Sequence, residues 1–130
     1  MKLRKHTLQK RSVLAAVLIF TCLWLGCGCS AGASASPDTL YRQNRDIDLF
    51  VYEDAAYVRA SDIQWVQELT LTPDALLGEI QRTDVTKGFQ DFDATQLPEE
   101  TQIYSTKERG ELLLAAVDGQ YIPYLRYVEG

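Results

Sequence analysis

The stretch "ELLLAAVDGQYIPYLRYV", residues 111–128, sets the fold class. Two apolar runs flank Asp118-Gly119. A two-residue hairpin turn of type I′ needs positive φ at both central positions, and Asp-Gly supplies that readily. Counting outward from the turn places Glu111 opposite Arg126 and Leu113 opposite Tyr124. "LLLAAV", residues 112–117, is apolar at consecutive positions and so at both faces of a strand, which marks a central strand covered on two sides. Pro123 has no N–H to donate, so the ladder must have a free edge or an irregularity there.

The same logic extends upstream. "DIDLFVY" (46–52) and "AAYVRA" (55–60) flank Glu53-Asp54, giving a second hairpin with Asp48 opposite Arg59 and Phe50 opposite Tyr57. A charge pair and an aromatic pair are favourable cross-strand neighbours. "SDIQWVQELTL" (61–71) reads as a short helix capped by Ser61, with Ile63, Trp65, Val66 and Leu69 inward, and nearly as well as a strand. "ALLGEIQRT" (75–83) is a strand in which Gly78 marks a bulge or a close approach. "DVTKGFQDFDATQLPEE" (84–100) is a long polar loop, and "TQIYS" (101–105) is a short strand. The expected fold is mainly β, a small antiparallel barrel or sandwich with one short helix at most. It occupies residues 40–130, about 90 positions, enough for one small core.

The 130-residue chain distributes its charge unevenly. Five of its 13 basic residues (Lys2, Arg4, Lys5, Lys10, Arg11) lie in the first twelve, and the first acid is Asp38. Beyond the leader, eight basic residues face all 18 acids, a formal charge of −10. Such a body repels phosphate backbones, which argues against a nucleic-acid partner. It also repels anionic lipid headgroups, so any membrane attachment must come from something other than surface charge.

The leader supplies an alternative. After the basic head comes "VLAAVLIFTCLWL" (13–25), thirteen uncharged residues, and then "GCGCS". As a helix the run spans roughly 20 Å, short of the ~30 Å hydrocarbon core. A basic segment, a short apolar segment and small residues form the layout of an export signal. "WLGC" resembles the lipobox of bacterial lipoproteins. That resemblance implies a signal peptide over 1–26, cleavage between Gly26 and Cys27, and a lipid-bearing Cys27. Cys29, preceded by Gly28, is the alternative lipid site. Trp24 stands where the family usually has leucine. Besides lipidation, a plain secretory signal cut within "SAGASAS" and an uncleaved N-terminal anchor helix fit the same residues. The groups implied are covalent ones: diacylglycerol on the thiol and, as a further modification, an acyl chain such as palmitate on the new N-terminal amine. Residues 27–39 then form the lipidated cysteine and a flexible tether. The protein would sit on the extracytoplasmic side of the cell membrane, held by its lipid.

Chemistry in the body is limited by what it lacks. His6 is the only histidine, and no cysteine follows Cys29. Internal disulfides, Ser-His-Asp and Cys-His catalysis, and zinc sites of histidine or cysteine are therefore excluded for residues 40–130. Ser105-Thr106-Lys107 lacks the S-x-x-K spacing. Asp91, Asp93 and Thr95 alternate as calcium ligands can, but Gln96 and Gln102 stand where an EF-hand loop needs glycine and glutamate. Glu53-Asp54, Asp91/Asp93 and Glu99-Glu100 are acid pairs that could serve a hydrolase only if their spacing in space suited one. No catalytic residue, metal ligand or cofactor is assigned. Tyr121, Tyr124 and Tyr127 form a candidate interaction surface, with Tyr121 and Tyr127 on one strand face and Tyr124 on the other.

Residues 97–130 also resemble the C-terminal part of small uncharacterised lipid-anchored proteins of Gram-positive bacteria. Those carry LP-x-GT-x-IY followed by DG-x-Y-I-x-Y-L. Leu97-Pro98, Thr101, Ile103-Tyr104 and Asp118-Gly119-x-Tyr121-Ile122-x-Tyr124-Leu125 match, and Glu100 replaces the usual glycine. The resemblance implies an envelope lipoprotein and assigns no activity. The expected function is a non-catalytic binding or interaction domain at the envelope, in contact with an envelope protein or a ligand. The alternatives are a carboxylate-dependent hydrolase of cell-wall material and an accessory or inhibitory envelope protein.

Overall fold

The computed structural model describes residues 36–128. The signal segment, Gly26, Cys27, Cys29 and the tether as far as residue 35 lie outside the described residues.

Six antiparallel strands form one curled, half-barrel sheet: β1 Leu49–Tyr52, β2 Ala55–Arg59, β3 Pro73–Glu79, β4 Gln102–Thr106, β5 Leu112–Val117 and β6 Gln120–Arg126. Their order across the sheet is β1-β2-β6-β5-β4-β3. Both hairpins have the expected register, with Phe50 opposite Tyr57 and Leu113 opposite Tyr124. Glu53 and Asp54 adopt φ of 50° and 62°, and Asp118 and Gly119 adopt 51° and 77°, so both turns take positive φ at their two central residues. β5 lies between β6 and β4 and is covered on both faces: Leu113 and Ala115 enter the main core, and Leu112 packs with Val66 on the other side. The carbonyl of Pro123 accepts from Ala60 N–H, so its nitrogen faces β2 as well, and the β2–β6 ladder ends there. Gly78 combines a register shift with a close approach: a Cβ there would stand 2.6 Å from the Phe92 ring.

Two short helices lie among the described residues. Helix α1, Pro37–Gln43, begins inside the segment expected to be tether. The Ser36 side chain caps it by accepting from Thr39 N–H at 3.2 Å, and Pro37 and Asp38 occupy its first turn. Ser-Pro-Asp is a helix-start signal, and it outweighs the small-residue composition around it. Helix α2, Gln64–Gln67, is the expected one, but Ile63 and not Ser61 is its N-cap. Ser61 Oγ instead accepts from Arg59 Nε at 2.8 Å. Val66 is buried while Trp65 is 40% exposed, with the Arg109 guanidinium 5.1 Å from its ring centroid.

Strand parity divides the sheet into two faces. The inner face gathers Phe50, Tyr57, Ile103, Leu113, Ala115 and Tyr124 into the main core. On the outer face Leu40 of α1 packs on Leu49, Val51 and Ala56. Farther along, Val66 of α2 packs with Ala60 and Leu112.

The segment expected to be a long polar loop closes the sheet. Antiparallel to β1, Val51 N–H donates to Asp93 C=O (3.0 Å), Phe92 N–H to Val51 C=O (2.7 Å) and Thr95 N–H to Leu49 C=O (3.0 Å). Its other side meets the continuation of β3, where Gln81 N–H donates to Phe92 C=O and Ala94 N–H to Arg82 C=O. β1 is thereby joined through residues 92–95 to Gln81 and Arg82, just beyond β3, and backbone groups are paired at both places. Asp93 is 1% exposed. Arg82 grips its two carboxylate oxygens and Gln90 N–H donates to Oδ2 at 2.7 Å. Leu97 follows into the core, and Glu100 takes φ 71° in the turn closed by Thr101 onto Pro98 C=O. That is the position at which the resembling sequences have glycine, the residue that tolerates positive φ best.

Replacing Asp93 by alanine should leave Gln90 N–H and the Arg82 guanidinium without their acceptor. We expect a loss of about 2–3 kcal/mol in urea unfolding. A loss under about 0.5 kcal/mol, the range of an ordinary surface substitution, would show that the closing segment is not fastened by this carboxylate.

Candidate interaction surface

Beyond α2 the outer face of the sheet continues across β6, β5, β4 and β3. The register aligns Pro123, Leu114, Tyr104 and Leu76 in one row, with Tyr121 beside it. Tyr121 and Tyr104 meet edge to face, with ring centroids 5.7 Å apart. Leu76 is 52% exposed and Tyr121 is 50% exposed. Next to them lies a groove of about 350 Å³ between Val66, Leu69 and Leu71 on one side and Leu114, Tyr121 and Pro123 on the other. Ser61 and Gln67 provide polar atoms at its rim. The Gln67 side chain is held by donating to Ser61 C=O at 2.8 Å.

The three tyrosines singled out in the sequence have different surroundings. Tyr121 belongs to this face. Tyr127 is also outward but is half-buried against the α1 cluster, where its N–H donates to Ala56 C=O. Tyr124 points inward and is fully buried, so it offers no surface. Its hydroxyl donates to Asp48 Oδ1 at 2.9 Å, and Arg59 stands 3.7 Å from Asp48 Oδ2. This trio lies beside a shallow depression of about 170 Å³ with Leu97 and Ile122. Burial raises the Asp48 carboxyl above its ordinary range, against the opposing pull of Tyr124 and Arg59. Burial, then the Asp48 charge, raises Tyr124 far above the ordinary phenol range. Tyr57 is also raised, mainly by burial. The arrangement satisfies a buried hydroxyl and stitches β6 to the start of β1.

Of the three acid pairs, Asp91 and Asp93 have their carboxylates in structural bonds. Asp91 Oδ1 accepts from Asp54 N–H at 3.1 Å, tying the first hairpin turn to the closing segment, and Asp93 is the buried partner of Arg82. Glu99 and Glu100 are exposed in the turn before β4. Ser105 Oγ accepts from Ala75 N–H at 3.0 Å, within the irregular part of the β3–β4 ladder. Among the described residues no group of three or more Asp, Glu, His or Cys side chains could hold a metal. Tyr104 and Leu76 were not anticipated as surface residues. Their signal was the alternation in "DALLGE" and "QIYST", which becomes readable once β5 fixes which face is the core.

The tyrosines give stability an alkaline limit. Near pH 10 the unfolded chain releases phenolic protons that folded Tyr124 retains, so the native state binds more protons and stability falls as pH rises. Tyr124 alone contributes a slope of about 1.4 kcal/mol per pH unit above pH ~10. Urea titrations from pH 8 to 11 should show this decline, and Tyr124→Phe should be less stable at pH 8 yet decline less steeply. Equal slopes for the two proteins would contradict the assignment. Compared with known proteins, the chain matches no family model, no curated protein and no solved structure.

Proposed function

We propose that the chain is a bacterial lipoprotein tethered through Cys27 to the outer side of the cell membrane, and that its β domain is a non-catalytic binding module. The anchor reading is supported by the basic head, the thirteen-residue apolar run and "WLGC" in immediate succession. Acyl chains hold a protein at a bilayer with about 0.8 kcal/mol per buried methylene, so two or more chains suffice. The binding reading is carried by one observation: Leu76 and Tyr121 stand half-exposed on the outer face, Tyr121 at the lip of a groove that mixes apolar side chains with the polar atoms of Ser61 and Gln67. An apolar patch of that kind on a small domain is a natural contact surface for an envelope protein or an apolar ligand.

In the native host, metabolic labelling with an alkyne fatty acid should label the wild-type protein and Cys29→Ala. It should fail on Cys27→Ala, which should accumulate as precursor or escape to the medium. Label retained by Cys27→Ala would move or remove the anchor. A photoreactive residue introduced at position 76 or 121 should give discrete adducts on intact cells. Competition by excess unlabelled wild-type protein should abolish them, whereas competition by a Leu76→Asp, Tyr121→Asp variant of equal melting temperature should not. Equal competition by both would refute the surface.

A further inference from the structure

The body carries eight cations, all within the described residues. Three are in ion pairs: Arg59 with Asp48, Arg82 with Asp93, and Arg109 with Glu111. Of the other five, three line one pocket. Arg42 and Arg45, at and just after the end of α1, face Lys87 across a cavity of about 390 Å³, together with Tyr41, Thr86 and Asp38. Asp38 is already engaged: its carboxylate accepts from Gly88 N–H at 2.9 Å and Phe89 N–H at 3.5 Å, which holds the Lys87 loop against α1. Arg42 is steadied by donating to Thr39 Oγ1 at 3.3 Å, and the Arg45 guanidinium lies 6.0 Å from the Tyr41 ring centroid. In a body with a formal charge of −10, three cations against one occupied carboxylate form a local inversion of sign.

We propose that this pocket receives the phosphate of an anionic phospholipid headgroup and so orients the domain on the membrane; the proposal rests on the anchor at Cys27. Ten positions separate Cys27 from Pro37, so the two lie at most about 35 Å apart whatever the path between them. α1 is the first described element after the anchor, so two of the three cations are tethered close to the headgroup layer at high effective concentration. Screening confines electrostatics to about 8–10 Å, so the charges nearest the lipid decide the contact and the acidic remainder is mostly screened. Guanidinium groups meet phosphate oxygens in a bidentate fork, and an ammonium adds a point charge. The chemistry recognised is a phosphate oxyanion, and its source is the bilayer.

The test places the lipid-modified protein in nanodiscs of phosphatidylcholine alone or mixed equally with phosphatidylglycerol, with a paramagnetic label on a headgroup. In the mixed discs the amide signals of Arg42, Arg45, Thr86 and Lys87 should broaden strongly, and added salt should reverse this. In phosphatidylcholine discs they should stay sharp. Arg42→Gln, Arg45→Gln, Lys87→Gln in one chain should reduce the headgroup-facing population roughly tenfold or more at unchanged melting temperature. Restoring lysine at 42 and 45 and arginine at 87 should recover it. Broadening that ignores lipid charge, or survives the triple substitution, overturns the proposal. Inorganic phosphate that saturates these amides at millimolar concentration and displaces no lipid contact assigns the pocket to free phosphate instead. A protein that joins neither kind of disc contradicts the anchor, a result distinct from the others.

Discussion

The buried carboxylate of Asp93 is the fastening on which this small sheet depends. A six-stranded antiparallel sheet with β1 at one edge and β3 at the other would present two rows of unpaired backbone groups. Residues 92–95 bond to β1 on one side and to Gln81 and Arg82, just beyond β3, on the other. That path places an acid inside the wall, where it is tolerable only with partners, and Arg82 and Gln90 N–H provide them. The same carboxylate raises the Arg82 guanidinium above its ordinary pKa, first through the hydrogen bond and then through its charge. With no disulfide available to residues 36–128, closure of this kind replaces a covalent staple.

Closure has consequences for where function can reside. The interior is filled by Phe50, Tyr57 and Tyr124, with Phe50 stacked on Tyr57 at 5.6 Å and tilted against Tyr124 at 5.1 Å. These rings take up the inner space, and the open surface lies on the outer face. There α1 covers β1 and β2, and α2 covers the first part of β5 and the last of β6. What is left half-exposed is Leu76 and Tyr121, either side of Tyr104. The two helices differ in what they bring to the surface: α2 builds one wall of a groove, whereas α1 carries cations near the start of the domain.

Much of the architecture was legible because it is local. Asp118-Gly119 and Glu53-Asp54 specify turns within four residues, and the apolar parity of "LLLAAV" needs only its own strand. The opposition of Tyr121 and Tyr127 to Tyr124 follows from a period of two. Which of those faces is the core was not legible, since that depends on the direction in which the sheet curls. The closing segment was illegible for a similar reason. "DVTKGFQDFDATQLPEE" has a loop's composition, and its order comes from backbone bonds to strands far away in the chain. Asp93 in isolation resembles any solvated acid; only its placement between Arg82 and Gln90 makes it a core residue. The cationic pocket likewise joins residues 42 and 45 to residue 87, a pairing invisible to any window of sequence.

Native-state hydrogen exchange tests the closure most directly. The amides of Val51, Phe92, Ala94 and Thr95 make the bonds that join the closing segment to the sheet. If this segment is part of the wall, they should exchange only through global unfolding, with the same opening free energy and denaturant dependence as Ala115 and Ile122 in the central hairpin. Exchange of these four amides at loop-like rates, while β5 and β6 remain protected, would show an open sheet with a loose flap and contradict the account.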